Sequence, residues 1–298
     1  MYKVSSNNVV YSMSPDNKPV LKVEPGSELL FETQDCFSNQ IQSEDLLFES
    51  TDWNTVNPAT GPVEIKGAKK GDVLKVEIKS IDLADHGVMI TEPKMGALNK
   101  FINESETKII PIEDNMVVFN EKIKLPVQAM IGVIGTSPEK EDVSCGTPGA
   151  HGGNMDNKVI AEGSTLYLPV WVDGGMLAMG DLHAYMGDGE VVICGVEIAG
   201  KVKVKVDLLS AKNIPNPMVE TIDAWYTIAS AETLDEAAQM ATDDMFRFIT
   251  ERTSLSSNET AMLMSLICDL EVCQIVDPQK TARMKLDKKA LAKYDIVF

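Results

Sequence analysis

Apolar and polar positions alternate over several stretches of this chain. In Gly200–Leu209, valines at 202, 204 and 206 alternate with lysines at 201, 203 and 205, the period-two pattern of a strand with one wet face and one buried face. Ser27–Thr33 and Asp72–Ile81 alternate in the same way, and Pro19–Glu24 does so over a shorter span. Each predicts a half-buried strand, and residues 1–125 read as a β-sandwich-like, jelly-roll-like lobe. Residues 126–215 add strands at Pro126–Gly135 and Ser164–Val172 and form a central β lobe. After Pro215-Asn-Pro217, the best internal boundary, the period changes. Apolar residues recur at 234, 237, 238, 241, 245, 248 and 249, a helical spacing, with Thr233 as N-cap and Glu236 completing a capping box. Ser257–Ile267 predicts a second helix from a Ser or Asn cap, its Met262 and Met264 filling core. The predicted class is mainly β with a smaller α/β part, the two-helix lobe occupying residues 216–298.

Candidate chemistry is concentrated between Cys145 and Glu197. Two of the three histidines, His151 and His183, fall there with Asp156, Asp181, Glu190, Glu197 and many glycines. On a strand, Asp181 and His183 point the same way at roughly 6 to 7 Å between Cα atoms, which suits two ligands on one metal ion or an acid orienting an imidazole. Glu190–Ile198 reads as the returning strand of a hairpin. Its register is open: one alignment puts Glu190 on the face of Asp181 and His183, and a slip of one residue puts Glu197 there. Distance along an extended strand favours Glu190, since Glu197 would lie about 13 Å beyond Asp181. Cys145–Asp156 is too rich in Gly and Pro for regular structure and predicts an ordered loop carrying His151, Asn154 and Asp156.

Composition narrows the partners. The net charge of −18, from 27 basic and 45 acidic residues, disfavours nucleic acid, whose phosphates need compensating Lys and Arg. Neutral small molecules suit it better. Five cysteines without a CxxC pair argue against a disulfide framework and a cysteine zinc knuckle. No apolar run is long enough for a bilayer span and the N-terminus has no signal-peptide core, so a cytoplasmic protein is the expectation.

His151-Gly-Gly-Asn-x-Asp156, Met179-Gly-Asp-Leu-His183, Gly187-Asp-Gly-Glu190 and Cys194-Gly-x-Glu197, in this order, resemble the acetamidase/formamidase family of amide hydrolases. Asp35–Ile41, Gly61-Pro-Val63 and Gly71-Asp72 extend the resemblance over most of the chain. It implies hydrolysis of acetamide- or formamide-like linear amides, and a sandwich lobe, a barrel-like lobe and a small α/β lobe assembled as a homodimer. In that setting Asp181 and His183, joined by Asp35 and His151 from other loops, form a mixed N/O ligand set compatible with zinc. Glu190 or Glu197 would carry the proton, and Asn154 and Asp156 would bind the amide, unless they only cap the loop through Asx turns. There is no Gly-x-Ser-x-Gly elbow. The catalytic competitor is Cys145 as nucleophile with His151 as base. A non-enzymatic β protein holding calcium or a small ligand in its acidic loops is the alternative from another class, and a structural calcium site is compatible with the first reading.

Overall fold

The computed structural model describes residues 1–294 and 296–298. With 40% of residues in strands and 14% in helices, the chain is mainly β, as the alternation predicts. Two large sheets carry it. The nine-stranded sheet runs in the order Tyr2–Val4, Ser27–Thr33, Gly200–Leu209, Val73–Leu83, Thr165–Pro169, Met218–Glu220, Ala224–Ala231, Lys280–Asp287 and Cys268–Gln274. The second sheet runs Lys124–Pro126, Met116–Val118, Glu106–Glu113, His86–Thr91, Glu197–Ile198, Leu177–His183, Met130–Gly135 and Gly152–Asn154. Ala59–Ile65 also pairs with Leu177–His183 and brings Val9–Val10 and Leu21–Val23 with it.

Both sheets mix strands from before and after residue 126, and their inner faces share one core. Phe31, Leu74 and Val204 from the first meet Ile131, Leu177 and Leu182 from the second. The alternation explains this directly, because each valine of Gly200–Leu209 at 202, 204 and 206 is fully buried while Lys201 is exposed. Both sheets are open, so the barrel-like expectation for the central lobe is corrected: a strand order that ends on two unpaired edges does not close.

Helix α1 (Leu234–Arg252) starts where the capping box places it. The Thr233 hydroxyl accepts from Glu236 N and the Glu236 carboxylate reaches back to Thr233 N. Its apolar face, with Ala241, Met245, Phe248 and Ile249, packs on Trp225 and Met284 of the nine-stranded sheet. Helix α2 (Ser257–Ile267) is capped by Ser256 and Glu259 in the same manner. Of its two methionines only Met264 is buried; Met262 is 64% exposed, because residues two apart on a helix face different ways.

Candidate active site

The strand Leu177–His183 is buried along its whole length. One side pairs with Met130–Gly135 in a single register, interrupted only between Gly132 and Asp181. The other side changes partner: residues 177–180 pair with Ala59–Val63, and residues 182–183 with Glu197–Ile198. Asp181 sits at the changeover with φ +53°, a left-handed backbone inside a strand. Asp156 and Glu190 are also left-handed, at φ +41° and +47°. Such conformations cost of order 1–3 kcal/mol each for a residue with a side chain and persist where surrounding structure enforces them. Here three strained backbones turn three carboxylates into one buried space.

Gly132 makes their convergence possible. It lies opposite Asp181, and a Cβ on it would stand 2.5 Å from Asp156 Oδ1 and 2.6 Å from Asp181 Oδ2. His183 is approached from its other end by Gly195, whose Cβ would lie 2.6 Å from Nδ1. His183 Nε2 then faces four acids: Glu197 Oε1 at 3.0 Å, Asp181 Oδ1 at 3.5 Å, Asp156 Oδ1 at 3.7 Å and Glu190 Oε1 at 4.0 Å. All five residues are at most 6% exposed.

Among the described residues, both oxygens of Asp156, Asp181 Oδ1, Glu190 Oε2, Glu197 Oε2 and His183 Nδ1 are buried with no hydrogen-bond partner. Buried acids without partners are expensive. Burial pushes the Asp156 carboxyl well above the usual range, with Asp277 and Asp181 adding to it. Burial does the same to Glu190, reinforced by Asp156, and raises Glu197 to about 8. For His183 burial disfavours the charge, but Glu197 and Asp181 outweigh it and hold the imidazolium well above its ordinary value. The pocket contains more carboxyl groups than one imidazole can partner. Donor atoms of Asp156, His183 and Glu190 lie within 4.8 Å of one another, and so do those of Cys36, Asp181 and Glu197. Both sets can hold a cation.

Of these donors Cys36, Asp181, Glu190 and Glu197 open on a cavity of about 150 Å³. Asn154, Asp181, Glu190, Glu197 and Asp277 form its polar floor, and Phe37, Phe48 and Trp53 wall it on the side of residues 36–56. Phe48 stands edge-on to both Phe37 and Trp53. Asn154 Nδ2 donates to Asp277 Oδ2 at 3.1 Å, leaving Asn154 Oδ1 free.

The hairpin read from the sequence differs from the observed one. Glu197, not Glu190, stands opposite His183. Residues 187–196 form no extended strand: Glu190 N donates to Gly187 O and Ile193 N to Glu190 O, in two successive turns. The chain therefore folds back, and both glutamates reach His183.

Asp35 falls near enough for Asp181 to help raise it, after burial, to about 6. Its Oδ1 accepts from Phe37 N and Asn39 N, so that oxygen closes its own loop. His151 is not brought to the cluster. Gly153 pairs with Ile134 and Thr136 N donates to His151 O, four residues along the strand from Gly132, or about 13 Å. It is buried there with Nε2 unpartnered, and burial alone lowers it to about 4. Cys145 packs among Met13, Ala59, Val133 and Ala178, and its thiol donates to Val10 O. Burial raises it to about 12, so it is no activated nucleophile.

Sequence reasoning missed Cys36, Asp277 and Arg283. Arg283, 1% exposed, donates to both oxygens of Asp188, to Asn157 Oδ1 and to Glu271 Oε2. It thus ties the loop of Glu190 and the segment after Asp156 to the C-terminal strands. Asp277 precedes Pro278 in what reads as a closing turn; nothing local marks it as a floor residue.

The profile of the Acetamidase/Formamidase family matches residues 4–146 and 143–258. A formamidase of Methylophilus methylotrophus is 27% identical over 254 residues, 65% of this chain and 62% of the relative. An acetamidase of Mycolicibacterium smegmatis is 25% identical over 65% of this chain and 64% of the relative. The chain thus spans less than two thirds of the length of these curated relatives. Among solved structures, an acetamidase from Bacillus halodurans is 49% identical with a TM-score of 0.97, covering 99% of this chain and 100% of the other. An acetamidase from Yersinia enterocolitica is 31% identical with a TM-score of 0.93 over 97% and 92%. With the family profile spanning most of its length, the chain belongs to the acetamidase/formamidase family.

Proposed function

We propose that this protein hydrolyses short linear amides such as acetamide or formamide to a carboxylate and ammonia, assisted by a divalent cation, with zinc as the first choice. The observation that carries this is the set of unpartnered buried donors of Asp156, Asp181, Glu190 and Glu197 gathered about His183 Nε2, with Asp181, Glu190 and Glu197 also lining the cavity. Acids so placed fit a cation, and an imidazole among them favours zinc over calcium. Asp156, His183 and Glu190 would hold it. A zinc ion there would supply Lewis acidity to the amide oxygen and to the attacking water.

The remaining steps belong to the chain. Asn154, oriented by Asp277, offers its free Oδ1 to an N–H of the substrate amide. A glutamate takes the proton from the attacking water and returns it to the departing nitrogen. Glu197 is placed for this by Gly195 N, which donates to its Oε1 at 2.9 Å, and Glu190 shares the cavity. Phe37, Phe48 and Trp53 give the substrate an apolar wall. A neutral substrate suits a chain of net charge −18.

The test is ammonia release from acetamide and formamide, with metal content measured alongside. His183→Ala is expected to abolish release and to lower bound metal while the fold, read by circular dichroism, persists. Near wild-type turnover in that variant would refute the mechanism. We extend the proposal to a cytoplasmic homodimer, for which sedimentation velocity is the check. Among the described residues no helix is long and apolar enough to cross a membrane.

A further inference from the structure

Two thiols face the cavity, Cys36 and Cys194, and their surroundings differ. Cys194 Sγ is engaged on both sides by one residue, accepting from Ile90 N at 3.3 Å and donating to Ile90 O at 3.6 Å. Cys36 Sγ has no hydrogen-bond partner among the described residues and lies within 4.8 Å of donor oxygens of Asp181 and Glu197. Its direction is built in. Asp35 closes the turn through Phe37 N and Asn39 N, and Asn57 N donates to the carbonyl of Cys36 at 2.7 Å.

Resting on the metal reading above, we propose that Cys36, Asp181 and Glu197 bind a second, thiophilic divalent cation beside the one held by Asp156, His183 and Glu190, Glu197 contributing its unpartnered Oε2 while Oε1, which accepts from Gly195 N, stays available for the proton.

Three observations carry it. Asp181 Oδ1 and Glu197 Oε2 are buried without partners, so this triad is as incomplete as the other. Among the described residues the floor and cluster hold five carboxyl groups, of Asp156, Asp181, Glu190, Glu197 and Asp277, and no lysine or arginine lines the cavity. One dication gives partners to only part of this set, and a second supplies them for the Cys36 side of the cavity. Sulfur beside two carboxylates selects zinc, cobalt or cadmium over calcium and magnesium, which prefer oxygen alone. Burial and the neighbouring acids hold the free thiol protonated, which disfavours an unassisted thiolate nucleophile. A cation releases that proton to solvent as the sulfur bond forms.

Protein stripped by chelation and reloaded with Co²⁺ provides the test. Wild type is expected to bind two ions per chain and to show sulfur-to-cobalt charge-transfer absorption. Cys36→Ser and Cys36→Ala should each bind one ion, lose that absorption, and keep the affinity of the remaining ion within about threefold and an unshifted thermal transition. A single ion without sulfur absorption in wild type, or absorption that survives in Cys36→Ser, overturns the second site while leaving the first intact. An acylated Cys36 trapped by mass spectrometry during turnover overturns it in favour of thiol catalysis. Absence of bound metal from wild type refutes the underlying metal reading as well.

Discussion

Gly132→Ala tests the geometry on which the site depends. The added methyl carbon would stand 2.5 Å from Asp156 Oδ1, 2.6 Å from Asp181 Oδ2 and 2.9 Å from Asp181 O. A carbon–oxygen contact relaxes near 3.3 Å or more, so each carboxylate must retreat by roughly 0.7 to 0.8 Å. The third contact is backbone, and Asp181 already holds a left-handed φ between two paired strands, so the strand must shift too. Overpacking of this kind costs about 1–3 kcal/mol of stability. Misplacing catalytic groups by about 1 Å costs about 10²-fold in rate, or about 2.7 kcal/mol. We therefore expect kcat/KM for acetamide to fall at least 100-fold and metal affinity to fall with it, with a lowered but cooperative thermal transition. Gly187→Ala is the matched control: its Cβ would meet nothing within 4 Å, and its activity should stay within about threefold. Wild-type kcat/KM in Gly132→Ala would show that the two carboxylates do not converge above residue 132.

Three further outcomes follow from the same distances and burials. Cys145→Ser should keep kcat within about threefold, because a serine hydroxyl can still donate to Val10 O; an inactive variant would restore the thiol mechanism. Arg283→Ala removes a buried charge that holds Asp188, Glu271 and Asn157. It should lower the free energy of unfolding by about 3–5 kcal/mol, read from the urea midpoint, and a shift under 1 kcal/mol would contradict the clamp. His151 has a folded value of about 4 against 6.5 unfolded. For a depressed histidine, the neutral form needed in the fold is available without penalty above pH 6.5, and stability is lost as pH falls toward 4. The stability of wild type relative to His151→Gln should therefore drop by about 3 kcal/mol from pH 7 to pH 4. A difference that does not change with pH would mean that His151 is not buried in its neutral form.

Local physics was legible in the linear chain. Thr233 with Glu236 announced α1 because a capping box needs only four consecutive residues, and the valines of Gly200–Leu209 announced their buried face because alternation is intrinsic to a strand. Asp181 and His183 were recognisable as a pair from their spacing of two on one strand, but the left-handed backbone that turns Asp181 toward the imidazole was set by the packing around it. Everything requiring two distant segments to meet was decided by the tertiary structure. The turns after Gly187 placed Glu197 across from His183 and kept Glu190 within reach. The pairing of Gly152–Asn154 with Val133–Gly135 brought Asn154 near the site and carried His151 away from it. Cys36, Asp277 and Arg283 gained their roles only when sheets drawn from both halves of the chain closed on one core. The physical reason is that propensity and periodicity act over a few residues, whereas register and loop closure, which set the positions of these donors, depend on the packing of the whole molecule.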